Sequence, residues 1–136
     1  VDKACAEFTT LGAKRVVPLA VSAPSHCPLM QPAADRLEAA LKEINVKDAQ
    51  IPVYANAYAK PVVKAADIID ALVKQLTQPV RWVETVQALK AEGVEALIEV
   101  GPNKVLSGLA RRIDRSLGTA NVCNEATLEK ALEELA

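Results

Sequence analysis

The chain carries a single histidine, His26, in the run Val21-Ser22-Ala23-Pro24-Ser25-His26-Cys27. An imidazole can accept and return a proton near neutral pH without extreme burial, which suits it to general acid–base chemistry. The nucleophile that such a base would serve is not recognisable. The four serines are Ser22, Ser25, Ser107 and Ser116, and none lies in a Gly-x-Ser-x-Gly elbow, the sharp strand-to-helix turn that exposes a nucleophilic hydroxyl. Ser25 adjoins His26, a spacing that generally points two side chains apart. Cys27 beside His26 raises the question of a metal, but ligation needs three or four converging donors and the sequence offers no such cluster, so none is expected. By residue type alone, His26 is a base without a partner or an ordinary loop histidine.

The elements that must position His26 follow from the hydrophobic spacing and from proline and glycine. Val1 to about Thr10 reads as a short amphipathic helix with Val1, Cys5 and Phe8 on one face, closed by Gly12. Arg15 to Val21 reads as a strand, with Pro18 arguing for an edge or a bulge. Pro24 ends it, which leaves Ser25, His26 and Cys27 on a loop just past the strand. Pro28 can open the next helix, which runs to about Ile44 with Ala33, Leu37, Ala40, Leu41 and Ile44 as its apolar stripe. Ile51 to Ala55 is a short strand, followed by a polar loop from Asn56 through Lys60 and Pro61. Asp67 to Leu76 is a helix with Ile68, Ile69, Leu72, Val73 and Leu76 inward. Pro79 can start a further helix that ends near Glu92 and is closed by Gly93, with Trp82 as a core anchor beneath the corner.

Val94 to Val100 is a mostly apolar strand of the kind covered on both faces. Gly101-Pro102 turns the chain into a helix over about Lys104 to Leu117, with Val105, Leu106, Leu109 and Ile113 expected inside. Its cations, Lys104, Arg111, Arg112 and Arg115, read as a solvated basic face near a helix C-terminus or as a docking patch for an acidic partner. Ala120 to Cys123 is a final strand and Thr127 to Leu135 a final helix with Leu128, Ala131, Leu132 and Leu135 inward. Alternating strands and helices give an α/β class with mostly parallel pairing.

The 136 residues suit one domain, and 51% hydrophobic residues can make a core, which must come from Ala, Val, Leu and Ile because aromatics are only 3%. Sixteen Lys plus Arg against 17 Asp plus Glu leave a net charge of -1, so there is no electrostatic case for nucleic acid or a membrane surface. Cys5, Cys27 and Cys123 form no Cys-x-x-Cys pair, which fits a reduced, cytoplasmic setting. No apolar stretch approaches the roughly 18 to 20 residues of a membrane span. Gly101-Pro102-Asn103-Lys104 lacks the spacing of a phosphate-binding loop, and no cofactor is expected. Val1 opens directly on helical spacing without an initiator Met, as in a chain cut from something longer.

Several of these segments in order resemble the malonyl-CoA:acyl carrier protein transacylases of bacterial fatty acid synthesis. They are Pro24-Ser25-His26-Cys27, Leu29-Met30, Pro32-Ala33-Ala34-Asp35 and Ile51-Pro52-Val53 with Asn56. They continue with Ala71-Leu72-Val73-Lys74-Gln75-Leu76, Pro79-Val80-Arg81-Trp82 and Glu99-Val100-Gly101-Pro102-Asn103-Lys104-Val105-Leu106. The resemblance covers nearly the whole chain and implies the C-terminal part of a hydrolase-like, mostly parallel sheet flanked by helices. Residues 1–24 would close an inserted ferredoxin-like subdomain, and residues 25–136 would belong to the large α/β body.

The same resemblance implies malonyl transfer from malonyl-CoA to the phosphopantetheine thiol of acyl carrier protein through a seryl ester. His26 matches the family's general base and acid. Gln75 matches the position whose backbone carbonyl orients that histidine. Ser25 and Asn56 fall at positions that shape the acyl pocket. The partners implied are malonyl-CoA, acyl carrier protein and a missing upstream half of the same enzyme. That half would hold the serine nucleophile, the arginine that pairs with the malonyl carboxylate and a glutamine beside the oxyanion hole. No arginine of this chain matches the carboxylate role. A different class stays open, in which the chain is a noncatalytic fragment or an acyltransferase-like domain that only binds a carrier protein.

Overall fold

The computed structural model describes the backbone of residues 1–135 and the side chains of residues 1–134. Six helices and four strands follow one another as α1 (Asp2–Thr10), α2 (Gln31–Lys42), β1 (Val53–Ala55), β2 (Lys60–Val62), α3 (Ala65–Lys74) and α4 (Trp82–Ala91), then β3 (Ala96–Val100), α5 (Val105–Ile113), β4 (Gly118–Val122) and α6 (Glu125–Leu135). The helix ends fall where local chemistry places them. Gly12 takes φ +90° after α1 and Gly93 φ +86° after α4. In each case the next residue's N–H reaches five back, Ala13 to the Phe8 carbonyl and Val94 to the Leu89 carbonyl, which closes the last turn. Pro28 opens a three-residue 3-10 turn, Pro28–Met30, that leads into α2. At the start of α6, Asn124 Oδ1 accepts from the Thr127 N–H while Thr127 Oγ1 accepts from the Asn124 N–H, a reciprocal cap.

Strand β3 runs parallel to β4, from Ala96 opposite Gly118 to Val100 opposite Val122, with α5 as the crossover. Val86, Ala110 and Leu117 form the buried centre beside this unit, with Trp82, Leu97 and Ile113 packed on them. The second sheet is a hairpin in which β1 pairs antiparallel with β2 through Val53 opposite Val62 and Ala55 opposite Lys60. The α/β class stands, but pairing among the described residues is one parallel and one antiparallel pair rather than mostly parallel.

Three expectations about elements are corrected. Arg15 to Val21 forms no strand, so His26 does not follow a strand end. Pro18 has no N–H for a ladder, no partner strand among the described residues lies beside the segment, and Leu19 stays 79% exposed. Lys60 and Pro61, expected in a loop, lie in β2, where Pro61 is tolerated because a two-stranded hairpin is all edge. Trp82, rather than Pro79, starts α4: Arg81 takes φ -88° and ψ 52°, outside the helical region, with its N–H on the carbonyl of Asn56.

The inward faces are also corrected. Strand β3 is open on one face, with Ile98 exposed and Val100 81% exposed, because no second layer covers that side among the described residues. On α5 the buried residue is Ala110, while Val105, Leu106 and Leu109 are exposed. On α6 Ala131 is buried and Leu128 and Leu132 are exposed; the side chain of Leu135 lies outside the described residues. Ile44 and Leu72 likewise sit at the surface. Ala71, Ala110 and Ala131 hold the buried positions of α3, α5 and α6, and no element among the described residues covers the larger aliphatic groups beside them. Helix α1 buries none of its residues.

Candidate active site

His26 sits on a tight loop whose backbone is pinned from both sides. The Ser25 N–H donates to the Ala23 carbonyl at 2.9 Å, and the Met30 N–H donates to the Cys27 carbonyl at 3.0 Å. The Cys27 thiol donates to the Pro24 carbonyl at 3.1 Å. Between these ties His26 takes φ +61°, the left-handed region that histidine enters more readily than most side chains. Holding a non-glycine residue there costs on the order of 1 kcal/mol and is common where a side chain must be aimed.

The imidazole is aimed at the end of α3. The loop feeds through the 3-10 turn into α2, and α2 packs against α3. At the close of α3 the N–H of Gln75 bonds the Ala71 carbonyl, that of Leu76 the Val73 carbonyl, and those of Thr77 and Gln78 the Lys74 carbonyl. The Gln75 carbonyl is one of the acceptors that a helix end leaves without a backbone donor. His26 Nδ1 meets it at 2.8 Å. A carbonyl oxygen only accepts, so Nδ1 carries the proton and Nε2 keeps its lone pair.

Gln75 and Asn56 line one cleft of about 170 Å³, together with Tyr54, Ile68, Ala71 and Leu72. Neither His26 nor Ser25 lines this cleft: the structure brings His26 to the Gln75 carbonyl and brings Gln75 and Asn56 to one cleft, while Ser25 is exposed beside His26. Asn56 meets the start of α4 through its backbone, its carbonyl accepting from the Arg81 N–H at 3.0 Å.

Beside the cleft stands a cluster that the sequence reading did not single out. The Tyr58 hydroxyl donates to Asp70 Oδ2, and Lys74 Nζ approaches Asp70 Oδ1 at 3.0 Å while lying 5.5 Å from the centre of the Tyr58 ring. The hydrogen bond from Tyr58, followed by that from Lys74, holds the Asp70 carboxyl below its ordinary range. Desolvation, and then the bond to Asp70, raises the Tyr58 phenol. Arg81 Nη1 donates to the Tyr58 carbonyl at 3.1 Å and its guanidinium pairs with Glu84. The four-residue spacing of Asp70 and Lys74 was the only sequence signal for this cluster.

A second unanticipated tie lies at the parallel pair. The Glu99 carboxylate accepts from the Ser107 N–H at 2.8 Å, the Ser107 hydroxyl at 2.7 Å and the Leu106 N–H at 3.1 Å, capping α5. Asn121, opposite Glu99 in register, donates from Nδ2 to the carbonyl of Asn103 at 2.7 Å. Of the basic residues on and around α5, Lys104 and Arg111 line a separate cavity of about 350 Å³, with Lys130 of α6 and Thr119 of β4. Among the described residues no group of three or more His, Cys, Asp or Glu is placed to hold a metal, and no helix is long and apolar enough to cross a membrane.

No family model matches the chain. It is 49% identical over 135 residues to the malonyl CoA-acyl carrier protein transacylase of Salmonella typhimurium, covering 98% of this chain and 43% of that protein. It is 46% identical over 124 residues to the Bacillus subtilis protein of the same name, covering 91% of this chain and 39% of the relative. Among solved structures it matches the malonyl-CoA:acyl carrier protein transacylase of Xanthomonas oryzae with a TM-score of 0.91 at 43% identity, over 98% of this chain and 42% of that one. It also matches a malonyl-transacylase solved in complex with a type II PKS acyl-carrier protein, with a TM-score of 0.89 at 47% identity over 98% of this chain and 43% of that one. The resemblance read in the sequence is therefore shown over nearly the whole chain, which spans about two fifths of the length of these relatives.

Proposed function

We propose that this chain supplies the histidine half of a malonyl-CoA:acyl carrier protein transacylase, an acyltransferase of fatty acid synthesis acting in the cytoplasm. The observation that carries this reading is the His26 ring held by Nδ1 on the Gln75 carbonyl at 2.8 Å, with Nε2 left as a proton acceptor. The similarity to named transacylases supplies the substrate class, and the geometry supports the role within it.

The reaction runs in two matched halves. A serine hydroxyl from outside these 136 residues gives its proton to His26 Nε2 as its oxygen attacks the malonyl thioester. The C–S bond breaks, the proton passes from Nε2 to the departing CoA thiolate, and a malonyl ester remains on the serine. The phosphopantetheine thiol of the carrier then loses its proton to Nε2 and attacks that ester. The proton returns to the serine oxygen, so the ring ends as it began. The Gln75 carbonyl fixes the tautomer throughout, as an aspartate does in a Ser-His-Asp triad, although a neutral oxygen stabilises the imidazolium less.

Asn56 lines the cleft beside Gln75 and is assigned to the acyl pocket. Ser25 lies outside that cleft and is assigned to acyl selection by its place next to the base, its small side chain suiting a compact malonyl group. Residues 1–24 are assigned to the inserted subdomain and 25–136 to the large body. The exposed faces of β3 and α5 and the unburied α1 support a reading in which further chain covers them in the working enzyme.

The test is to incubate the protein that carries this chain with malonyl-CoA and holo acyl carrier protein and to follow the carrier by mass spectrometry. Malonylated carrier is expected. A carrier that stays unmodified, while binding of the two proteins is still measured, would favour the noncatalytic carrier-binding alternative.

A further inference from the structure

The Gln75 carbonyl can hold His26 only if the end of α3 is itself held. The backbone bonds of the 75–78 turn are internal to α3 and its own exit, so they do not fix where that end sits. Helix α2 packs along α3, and the polar tie nearest the C-terminal end of α3 comes from side chains of its last turns. Asp70 and Lys74 are four apart on one face of α3, directly before Gln75. Both meet Tyr58, whose hydroxyl donates to Asp70 while Lys74 lies over its ring.

Tyr58 belongs to the turn between β1 and β2, and that turn is well anchored. Ala55, Ala57 and Ala59 are buried, and Ala59 takes φ +51°, a left-handed conformation that an alanine holds only when its surroundings require it. Arg81 clamps the same turn to the start of α4, by its N–H on the Asn56 carbonyl and by Nη1 on the Tyr58 carbonyl. Tyr58 is thus the one side chain of the 56–59 turn that reaches α3 by a polar bond among the described residues.

We propose that Tyr58 is a positioning residue for His26: through Asp70 and Lys74 it fixes the C-terminal end of α3, and with it the carbonyl that orients the imidazole. The functional consequence rests on the reading of His26 as the base, but the geometric claim does not. The Tyr58–Asp70 bond is at the surface, so its loss loosens α3 without unfolding the chain.

The experiment reads the ring directly. Protein labelled with 15N-histidine is examined by NMR near neutral pH, and the His26 signal is identified by its loss in His26→Asn. Wild type is expected to show mainly the tautomer protonated at Nδ1. Tyr58→Phe keeps the ring under Lys74 but removes the hydroxyl, and should lower the ratio of Nδ1–H to Nε2–H tautomer by about two- to fivefold, the scale of one exposed polar tie. Asp70→Ala, which removes the acceptor from both partners, should move the ratio in the same direction.

An unchanged ratio in both variants, with far-UV spectra matching wild type, overturns the positioning role. The transfer assay separates this from the function. A changed ratio with full malonyl transfer upholds the positioning of the ring, and full transfer in His26→Asn as well sinks the base assignment. A changed ratio with lower kcat and the same KM for malonyl-CoA supports both.

Discussion

His26 Nδ1 lies 2.8 Å from the backbone carbonyl oxygen of Gln75, a contact that spans 49 residues of chain and joins a left-handed loop to the half-buried end of a helix. It pairs an imidazole that needs an acceptor with a carbonyl that needs a donor. The contact also sets which nitrogen is free, and Nε2 is the atom on which every proton transfer of the proposed cycle turns.

Because the acceptor is main chain, the side chain of residue 75 should be replaceable. Gln75→Ala is expected to keep the Nδ1–H tautomer of His26 in a 15N spectrum and to hold kcat for malonyl transfer within about threefold of wild type, well short of the 10²-fold or more that loss of a general base costs. A fall as deep as that of a histidine variant would mean that the amide side chain, not the carbonyl, does the work.

Much of the scaffold was legible because proline and glycine mark it. Gly12 and Gly93 close helices where left-handed residues were expected, and Pro28 opens the turn into α2. Segments whose state depends on a neighbour were less legible. Arg15 to Val21 has the composition of a strand but meets no partner among the described residues, and Lys60 and Pro61 look like a loop until Val53–Ala55 pairs with them. The facing of Val105, Leu106 and Leu109 was misread because periodicity locates an apolar stripe without telling whether anything covers it. At the site, a backbone carbonyl leaves no residue-type signature, so Gln75 was reached by resemblance. Tyr58 was missed because its partners are 12 and 16 residues away.

The Glu99 cap predicts an acid dependence of stability. Bonds from the Ser107 N–H first, and then from the Ser107 hydroxyl and Leu106, hold the Glu99 carboxyl below its ordinary value in the folded chain. The unfolded chain therefore takes up this proton at a higher pH than the folded one. The stabilisation is full above the ordinary glutamate range and is lost as pH falls through the lowered folded value. Glu99→Gln should lower the urea midpoint at pH 7 and flatten the loss of stability on acidification. Equal midpoints for the two proteins across the acid range would show that the cap contributes nothing.

The packing centre predicts a larger effect. Val86 is 0% exposed and packs with Ala110 and Leu117. Val86→Ala removes two buried methyl groups and should cost roughly 2 kcal/mol, read as a lower urea midpoint at unchanged slope. A shift within error would place the stabilising core elsewhere.

The central claim is that His26 Nε2 moves the proton in malonyl transfer. The most direct measurement is the single-turnover rate of malonyl transfer from malonyl-CoA in wild type and in His26→Asn, using the protein that carries this chain. Asparagine tolerates the left-handed backbone of residue 26 but cannot act as a base at neutral pH. A fall of about 10²- to 10⁴-fold is predicted, with the fold retained by far-UV spectroscopy. A rate near the wild-type value would contradict the account.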